Sequence, residues 1–387
     1  MNTVHYFTSY ARDAAKYELD QFPAAVTKSA YIIDILRNIQ DIKHIHIVSV
    51  TRKSATRWGG ISFKKKEYDN KETDYILPSF SSPIKAFRVL NVFLRYISIF
   101  FYLMFLVHSD DPVIIYHMFS CIAPIKWACR LKNLFLIMET EEIYGDVHQN
   151  EKLKKAELSL MKHAKAFLVP TSLLNSAINK EQKPSIVVHG TYRVEKDRRC
   201  HFDDGKIHVL YAGTFDPTKG GIAAAATAAE LPAEYHINII GFGTDAEITY
   251  IKEAVKKYNL PGHATVTYDG LLSGEDYIRF VQACQIGLST QQPNAPYNET
   301  SFPSKVLSYL SNGLHVVSVK IKALETSSVN DLLVYYNNNT PAEIAKAIQS
   351  IDINAPFDSR EKIKKLDAEF LKNLESLLHT STNNTPI

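Results

Sequence analysis

Three segments in the second half of the chain hold the residues whose types and spacing best suit chemistry. The first, residues 211–221, reads YAGTFDPTKGG. Gly213 would let backbone amides approach a ligand closely, Lys219 carries a mobile ammonium group, and a helix starting after it would attract an anion. These features together suit a diphosphate. The alternative is an ordinary strand-to-helix turn with a solvated lysine.

The second segment, residues 239–243, reads IIGFG and closes the next predicted strand. Gly241 and Gly243 form a glycine pair of the kind that makes room for a nucleotide. The segment is not the G-x-G-x-x-G pattern of dinucleotide enzymes, and no acidic residue follows at the offset that would hold a ribose. A nicotinamide cofactor is therefore discounted.

The third segment, residues 297–313, reads YNETSFPSKVLSYLSNG and is the most specific of the three. It places five notable residues around a predicted helix start: Thr300, Ser301, Pro303, Ser304 and Lys305. We expect Pro303 at the first helical position and Gly313 just beyond the helix end. A normally capped helix would explain the hydroxyls, the proline and the glycine. It would not explain Lys305, because a cation in the first turn opposes the helix dipole, so the pattern predicts a phosphate site.

All three segments follow predicted strands of one sheet. Throughout the chain, apolar runs bounded by polar turns alternate with longer helical patterns, which is typical of β-α-β units and parallel sheets. The predicted fold class is therefore α/β. Open α/β sheets bind ligands at the carboxyl ends of their strands, where these segments lie.

The length of 387 residues favours two domains. We predict a first domain at 1–195, a second at 205–355, and a C-terminal helix within 356–387 that packs back on the first. The proposed boundary between the two domains is rich in charged residues and shows no periodic pattern of apolar residues. With 45% hydrophobic and 22% charged residues, the composition excludes a disordered or fibrous chain. The polar segment 54–82 is expected to be a functional or mobile connection.

The two halves of the chain carry opposite net charge. Residues 1–200 contain 29 Lys and Arg against 20 Asp and Glu, and residues 201–387 contain 15 against 21. This asymmetry indicates that the first half faces something anionic, such as a membrane surface or a phosphate-bearing substrate. The basic excess is modest and lies in a half without an RNA or DNA motif, so no nucleic-acid partner is expected.

The cysteines and the amino terminus indicate a cytoplasmic protein. The four cysteines form no C-x-x-C pair and no cluster with histidines at metal-ligand spacing, so neither disulfides nor a metal site is predicted. The first 20 residues lack the apolar core and cleavage site of a secretory signal.

One apolar stretch, residues 89–107, raises the question of a membrane. Its uncharged part, residues 96–107, is well short of the roughly 20 residues needed to cross a bilayer. A buried helix of a large domain is one interpretation. The other is a helix whose apolar face enters the interfacial layer, so that residues 84–107 contact the surface of the inner membrane. Basic residues that could assist are Lys64, Lys65, Lys66, Lys71, Lys85 and Arg88.

The segments AGTFDPTKGG, IIGFG, YDGLLSGEDYIRFVQACQIGLST and NETSFPSKVLSYLSNGLHVVS, in this order, resemble the carboxyl half of a known family. The family is the GT-B glycosyltransferases of the retaining family 4 type, and the likeness is greatest to bacterial members that build surface polysaccharides and carry F-P-S-K at the helix start. The amino half is similar more weakly. The resemblance implies two Rossmann-like domains facing each other across a cleft.

The resemblance also implies roles for single residues. Gly213 and Lys219 would contact the donor diphosphate, with Lys219 neutralising the leaving group, and Lys305 with the amides around Ser301 and Ser304 would act from the other side. Gly270 and Leu271 would lie by the nucleobase. No cofactor is expected besides the nucleotide-sugar co-substrate, and no metal, because the chain contains no D-x-D.

The chain departs from the family at one pattern. The wider family carries two glutamates as E-x7-E, and the matching positions here are Thr300 and Ser308, with Glu299 out of register by one residue. A hydroxyl can still bond a ribose, though more weakly than a carboxylate. Because of this departure, a catalytically weakened protein stays an open alternative.

The acceptor site is expected in the amino half, in the loops 117–120 and 139–146. Glu142 and His117 are the candidate catalytic residues, since a carboxylate or imidazole could orient an acceptor hydroxyl or stabilise the transition state. A solvated acid and a structurally satisfied histidine are the equal alternative.

The sequence thus predicts transfer of a sugar from a nucleotide sugar to a growing, lipid-linked bacterial glycan at the cytoplasmic face of the inner membrane. Two alternatives stay open: a nucleotide-sugar epimerase, and a non-catalytic GT-B partner of another transferase. The sugar, the base, the linkage and the acceptor are not readable from the sequence.

Overall fold

A computed structural model describes residues 3–21, 23–52, 58–82, 84–118 and 121–383 of the chain. The chain divides into two compact units. Unit 1 comprises Met1–Thr191 and Ala368–Ile387, and unit 2 comprises Tyr192–Asp367.

Unit 1 is built on a mainly parallel sheet covered by helices. Its strands are β1 (Thr3–Thr8), β2 (His44–Ser49), β3 (Gly59–Ile61), β4 (Lys64–Glu67), β5 (Glu72–Ile76), β6 (Ser79–Ser81), β7 (Pro112–Tyr116), β8 (Phe135–Glu139), β9 (Ala166–Val169) and β10 (Ser185–Val187). Its helices before the unit boundary are α1 (Ala14–Tyr17), α2 (Pro23–Asn38), α3 (Lys85–Phe105), α4 (Ile122–Leu131), α5 (Tyr144–Val147), α6 (Glu151–Met161) and α7 (Ser172–Ile178).

The strand order of this sheet in the described residues is β10-β9-β8-β7-β1-β2-β5-β4. All neighbours pair in parallel except β4, which runs antiparallel to β5 at the edge. The central strand β7, PVIIY, is buried along its whole length, as expected for a sheet that helices cover on both faces. The carboxyl ends of β1, β7 and β8 therefore come together at one edge.

Residues 54–82, which were expected to be a functional or mobile connection, contain four strands. Residues 53–57 lie outside the described part, but the remainder holds β3, β4, β5 and β6. β5 extends the parallel sheet beside β2, and β3 pairs antiparallel with β6 in a small sheet of its own. The sequence of β4 shows no alternation of apolar and polar residues, because β4 is an edge strand that is exposed along its whole length. It therefore could not be predicted as a strand.

Unit 2 contains a second parallel sheet. Its strands are β11 (Ile207–Thr214), β12 (Tyr235–Phe242), β13 (Thr265–Gly270), β14 (Ile286–Ser289), β15 (His315–Val319) and β16 (Leu333–Tyr336). The remaining helices are α8 (Gly221–Ala226), α9 (Asp245–Tyr258), α10 (Gly274–Ala283), α11 (Ser304–Ser311), α12 (Lys322–Glu325), α13 (Pro341–Gln349) and α14 (Ser359–Asn383).

The strand order in unit 2 is β13-β12-β11-β14-β15-β16, and all pairs are parallel. The order reverses direction between β11 and β14. Such a switch point opens a crevice outside the carboxyl ends of the strands, which is the usual ligand site of an open α/β sheet. In the described residues, no helix of either unit combines the length and the apolar character needed to cross a membrane.

The helix α11 is held against the sheet by one aromatic side chain. Tyr309 is fully buried, its hydroxyl accepts a hydrogen bond from the Ala212 amide at 2.8 Å, and it donates to the Leu288 carbonyl at 3.3 Å. Gly287 leaves room for the ring, since a Cβ there would lie 2.4 Å from ring atoms of Tyr309. This contact sets the position of the α11 amino end relative to β11.

We expect Gly287→Ala to lower the free energy of unfolding by about 1 to 3 kcal/mol, because the added methyl group overlaps a ring that two strands hold in place. Urea unfolding followed by circular dichroism measures the change. Gly60→Ala is the matched control, since its Cβ would meet only ordinary contacts at 3.8 Å. Equal stability of Gly287→Ala and wild type would show that the ring moves freely.

Candidate functional site

The amino end of α11 brings a lysine to the switch point of the unit 2 sheet. The Nζ of Lys305 lies 4.1 Å from the centroid of the Tyr211 ring on β11. A Cβ at Gly213 would stand 3.3 Å from the same Nζ, so the glycine leaves the space beside the ammonium open. The Tyr211 hydroxyl donates hydrogen bonds to the carbonyl oxygens of Thr214, at 2.8 Å, and Lys219, at 3.1 Å. These bonds hold the turn after β11 against the strand.

The Lys305 ammonium is buried and lacks a hydrogen-bond partner in the described part of the chain. The residue as a whole is half-buried, so it is the tip of the side chain that solvent does not reach. Burial, and secondarily the charge of Lys219, lowers the pKa of Lys305 to about 7. An unpaired buried cation is costly, and an anionic ligand would remove that cost.

The start of α11 adds further groups around this ammonium. The helix begins at Ser304, and Pro303 is its N-cap residue, so the expectation of Pro303 at the first helical position was wrong by one residue. Among the described residues, no side chain caps the amino end of the helix, and Ser304 is exposed. The Ser301 hydroxyl is buried without a hydrogen-bond partner in the described residues, while Thr300 is half-buried. An uncapped amino end of a helix offers its amides to an anion.

The loop that carries Lys219 is fixed to β14. Gly220 follows Lys219 with φ +85°, and a Cβ there would lie 1.7 Å from the Thr290 carbonyl oxygen. The Thr290 hydroxyl donates to the Gly220 carbonyl at 2.8 Å. Only glycine fits this close approach, and it holds the half-buried Lys219 at the same edge of the sheet as Lys305.

The nucleoside-side glycines lie at the ends of β12 and β13. Gly241 has φ +146° and packs on β11, since a Cβ there would come 1.8 Å from the Gly213 carbonyl. Gly243 makes room for the capping box of α9, with Glu247 2.8 Å from its would-be Cβ. Gly270 borders open space, and Leu271 is 65% exposed. Packing thus accounts for the first two glycines without a ligand, and the nucleoside role of all four residues stays a prediction.

The residue at the second family glutamate position already has a partner. The hydroxyls of Ser308 and Tyr277 lie 3.1 Å apart, and Tyr277 sits in an environment that raises its pKa through burial. Ser308 is half-buried on the second turn of α11. A ribose would have to share this hydroxyl with Tyr277.

In unit 1, the structure encloses one candidate catalytic residue and leaves the other accessible. His117 follows β7 and is only 2% exposed, with its Nε2 3.3 Å from a carboxylate oxygen of Glu157. Burial lowers the pKa of His117 to about 4, so the ring is neutral at pH 7. Glu142 is half-buried in the loop after β8. Phe119 and Ser120, also expected at the acceptor side, lie outside the described residues.

A second buried ionisable group, which the sequence did not single out, ends β8. Glu139 is fully buried and accepts a hydrogen bond from the Tyr6 hydroxyl on β1 at 2.7 Å. Its other oxygen has no hydrogen-bond partner in the described residues. Burial raises the pKa of Glu139 to about 7, although the charge of Lys28 acts in the opposite direction. The one signal in the sequence is an acid closing the apolar run FLIM.

Lys28 connects this region to the end of the first segment of unit 1, Met1–Thr191. Its side chain is 6% exposed and lies 3.4 Å from Glu141, and it donates to the Gly190 carbonyl at 3.1 Å. His189, next to Gly190, bonds the Pro170 carbonyl at 2.7 Å. A buried cation therefore holds together the acidic loop after β8 and the residues around Gly190.

Comparison with known proteins gives a clear result for the fold alone. No protein-family model matches the chain, and no curated protein matches its sequence. The sucrose-phosphate synthase of Thermosynechococcus elongatus superposes with a TM-score of 0.71 at 14% identity, over 98% of this chain and 100% of the other. A trehalose-6-phosphate protein from E. coli, bound with UDP-2-fluoro glucose, gives 0.68 at 9% identity over 100% of both chains.

The chain has the GT-B fold. A third similar structure, an α,α-trehalose-phosphate synthase (UDP-forming) from Burkholderia xenovorans in complex with glucose-6-phosphate, gives a TM-score of 0.60 at 10% identity over 98% of both chains. The predicted α/β class with two Rossmann-like domains is confirmed. The narrower resemblance to family 4 surface-polysaccharide enzymes stays a prediction.

Without ligand, we expect the stability of wild type to rise with pH above neutrality because of Lys305. Its pKa is lower in the folded than in the unfolded protein, so the unfolded state binds more protons between pH 7 and 10. Between pH 7 and 9, the free energy of unfolding of wild type should rise by about 2 kcal/mol relative to that of Lys305→Met. Urea titrations at both pH values test this. Parallel pH profiles would mean that the ammonium is solvated.

Glu139 should have the opposite effect. Its folded-state pKa is raised, so the stability it contributes is full below pH 4.5 and is lost as pH rises through about 7. Glu139→Gln should therefore stabilise the protein more at pH 8 than at pH 5, by about 1 to 3 kcal/mol. Glu141→Gln, which changes a more exposed carboxylate, is the control. A gain independent of pH would indicate that Glu139 is not the titrating group.

Proposed function

We propose that this protein is a glycosyltransferase that moves a sugar from a nucleoside-diphosphate sugar to an acceptor. The observation that carries the proposal is the buried ammonium of Lys305 at the switch point of the unit 2 sheet, with Lys219 on the neighbouring loop. This ammonium has no hydrogen-bond partner among the described residues. The GT-B fold supports it, since similar structures hold a UDP-sugar analogue or a sugar phosphate.

The chemistry follows from the charges. Sugar transfer from such a donor releases a nucleoside diphosphate, so the main electrostatic demand is to stabilise negative charge on the departing oxygens. Lys305, Lys219, the Ser301 hydroxyl and the free amides of α11 offer cations and donors at one place. We propose that they meet this demand without a metal ion and that the anomeric configuration is retained.

Binding of the diphosphate would also determine the protonation state of Lys305. An anion beside Lys305 favours the protonated lysine, so donor binding should be accompanied by proton uptake near neutral pH. Gly213 leaves the backbone beside Lys305 open, so that its amide would take part in binding the ligand. Gly270 and Leu271 would border the base, while Ser308 would bond the ribose if it leaves Tyr277.

For the acceptor we propose a growing bacterial surface glycan, linked to lipid and presented at the cytoplasmic face of the inner membrane. The motifs that resemble family 4 enzymes and the basic first half of the chain support this choice. Glu142 is the accessible candidate for contact with the acceptor. His117 is better suited to a positioning role through Glu157, which accepts hydrogen bonds from the amides of Tyr144 and Gly145.

A second candidate function is a non-catalytic partner of another transferase. The hydrogen bond between Ser308 and Tyr277 favours it, because a serine bonded within the protein stands where the family carries a glutamate. Such a protein would bind a nucleotide sugar without turning it over.

The first test is nucleotide binding by wild type. We expect one of UDP, GDP, TDP and CMP, at 100 times its Kd, to stabilise the protein by about 2.7 kcal/mol in a thermal-shift assay. Lys219→Ala and Lys305→Met should each weaken binding about tenfold or more, because each removes a charge-assisted contact to phosphate.

Lys346→Ala, which removes an exposed lysine of α13, is the matched control and should bind like wild type. Binding with release of free nucleotide from the sugar donor supports the enzyme, and binding without any turnover supports the non-catalytic partner. Absence of binding by every nucleotide and nucleotide sugar would refute the proposed function.

A further inference from the structure

The helix α3 presents an apolar face to solvent. Among the α3 residues whose side chains the structure describes, every exposed one is apolar: Phe87, Val89, Leu90, Val92, Phe93, Ile97, Phe101 and Phe105. Val89 is 68% exposed and Phe105 is 73% exposed. Surface helices of globular proteins normally carry charged and polar residues on this side.

Two polar residues of α3, Asn91 and Arg95, point inward. Asn91 is buried and accepts a hydrogen bond from the Phe80 amide at 3.0 Å. The Arg95 guanidinium donates to the Val50 carbonyl at 2.7 Å, and burial lowers its pKa. Both polar groups therefore sit on the protein side of the helix, opposite to the arrangement in a soluble surface helix.

The exposed apolar residues run the length of the helix. Val89, Phe93, Ile97, Phe101 and Phe105 recur every fourth residue along 21 residues, a length of about 30 Å. At one end, the ring of Trp58 lies 5.4 Å from that of Phe87.

The helix α4 packs beside α3 and adds the exposed side chains of Trp127 and Leu131. We call these side chains, together with Trp58 and the exposed residues of α3, the apolar surface. A patch of this extent on a protein surface marks an interaction site.

The charge of the chain segment that carries most of this surface indicates the kind of partner. Residues 84–107 contain no Asp or Glu, and residues 51–107 contain ten Lys and Arg against four acidic residues. The exposed strand β4 carries three of these lysines in a row. An apolar face on a chain segment with an excess of basic residues fits the headgroup and acyl boundary of an anionic bilayer, where tryptophan is also favoured.

We propose that the apolar surface docks unit 1 onto an anionic lipid bilayer, with α3 lying in the plane of the interface. The helix does not cross the membrane; its outward side chains enter the boundary layer while Arg95 and Asn91 stay bonded to the protein. The proposal concerns unit 1 alone and does not rest on the donor site in unit 2. If the proposed acceptor is lipid-linked, docking would bring the protein to it.

Sedimentation with vesicles tests the proposal on the full chain. Wild type should bind vesicles of phosphatidylglycerol and phosphatidylcholine far better than vesicles of phosphatidylcholine alone, and 0.5 M salt should weaken that binding. Phe93→Gln combined with Phe105→Gln should lower the partition coefficient about tenfold or more, because two exposed aromatic rings no longer enter the boundary layer.

The matched control is Tyr250→Gln combined with Leu260→Gln, which alters two exposed apolar residues of unit 2 and should bind vesicles like wild type. Circular dichroism and nucleotide binding verify that both double variants are folded, and unchanged nucleotide binding separates this test from that of the proposed function. The proposal is overturned if wild type ignores the anionic vesicles, if it binds neutral ones equally, or if the α3 variant binds like wild type. It is also overturned if light scattering shows a wild-type dimer that the α3 variant dissolves while neither binds vesicles.

Discussion

Burial of the Lys305 ammonium, with no hydrogen-bond partner among the described residues, is the constraint around which the unit 2 site is organised. A lone cation removed from water is destabilising, and only a stiff surrounding can hold it there. The Tyr211 ring offers partial compensation through a cation–π contact at 4.1 Å. The buried Tyr309 fixes the helix that carries the lysine, and Gly220 fixes the loop that carries a second positive charge. Keeping this site ready for an anion therefore lowers the stability of the fold.

Unit 1 repeats the arrangement with the opposite sign. Its sheet also ends in a buried ionisable side chain with an unused oxygen, that of Glu139, at the carboxyl edge. The Tyr6 hydroxyl donates a hydrogen bond to Glu139, whereas the Tyr211 ring contacts Lys305 through its face. Lys28 supplies the positive charge near Glu139. In each Rossmann-like domain, one buried ionisable side chain thus lies at the carboxyl edge of the sheet, where such sheets bind ligands.

The parts of the structure that could be predicted from the sequence are those set by local periodicity. Strands such as Ala166–Val169 and Ile286–Ser289 are apolar and buried on both faces, so their composition marks them. β4 could not be found, because its lysines are exposed and its pairing with β5 depends on tertiary contacts. Lys305 could be recognised from the sequence as a candidate site residue, because a lysine in the first turn of a helix opposes the helix dipole. Glu139 could not be recognised in this way, because the full burial of an acid depends on residues distant in sequence, here Tyr6. The inward turn of Arg95 was equally hidden, since its hydrogen bond to the Val50 carbonyl joins residues that are distant in sequence.

The placement of the tryptophans has a consequence for how this molecule can be observed. The chain has two, and Trp58 and Trp127 are 59% and 48% exposed. Neither indole belongs to a core, and unit 2 contains none. Intrinsic indole emission is therefore a poor gauge of whether either sheet is intact, and it carries no direct signal from unit 2. The 21 tyrosines, several of them buried in both units, are the better chromophores for following loss of the native packing.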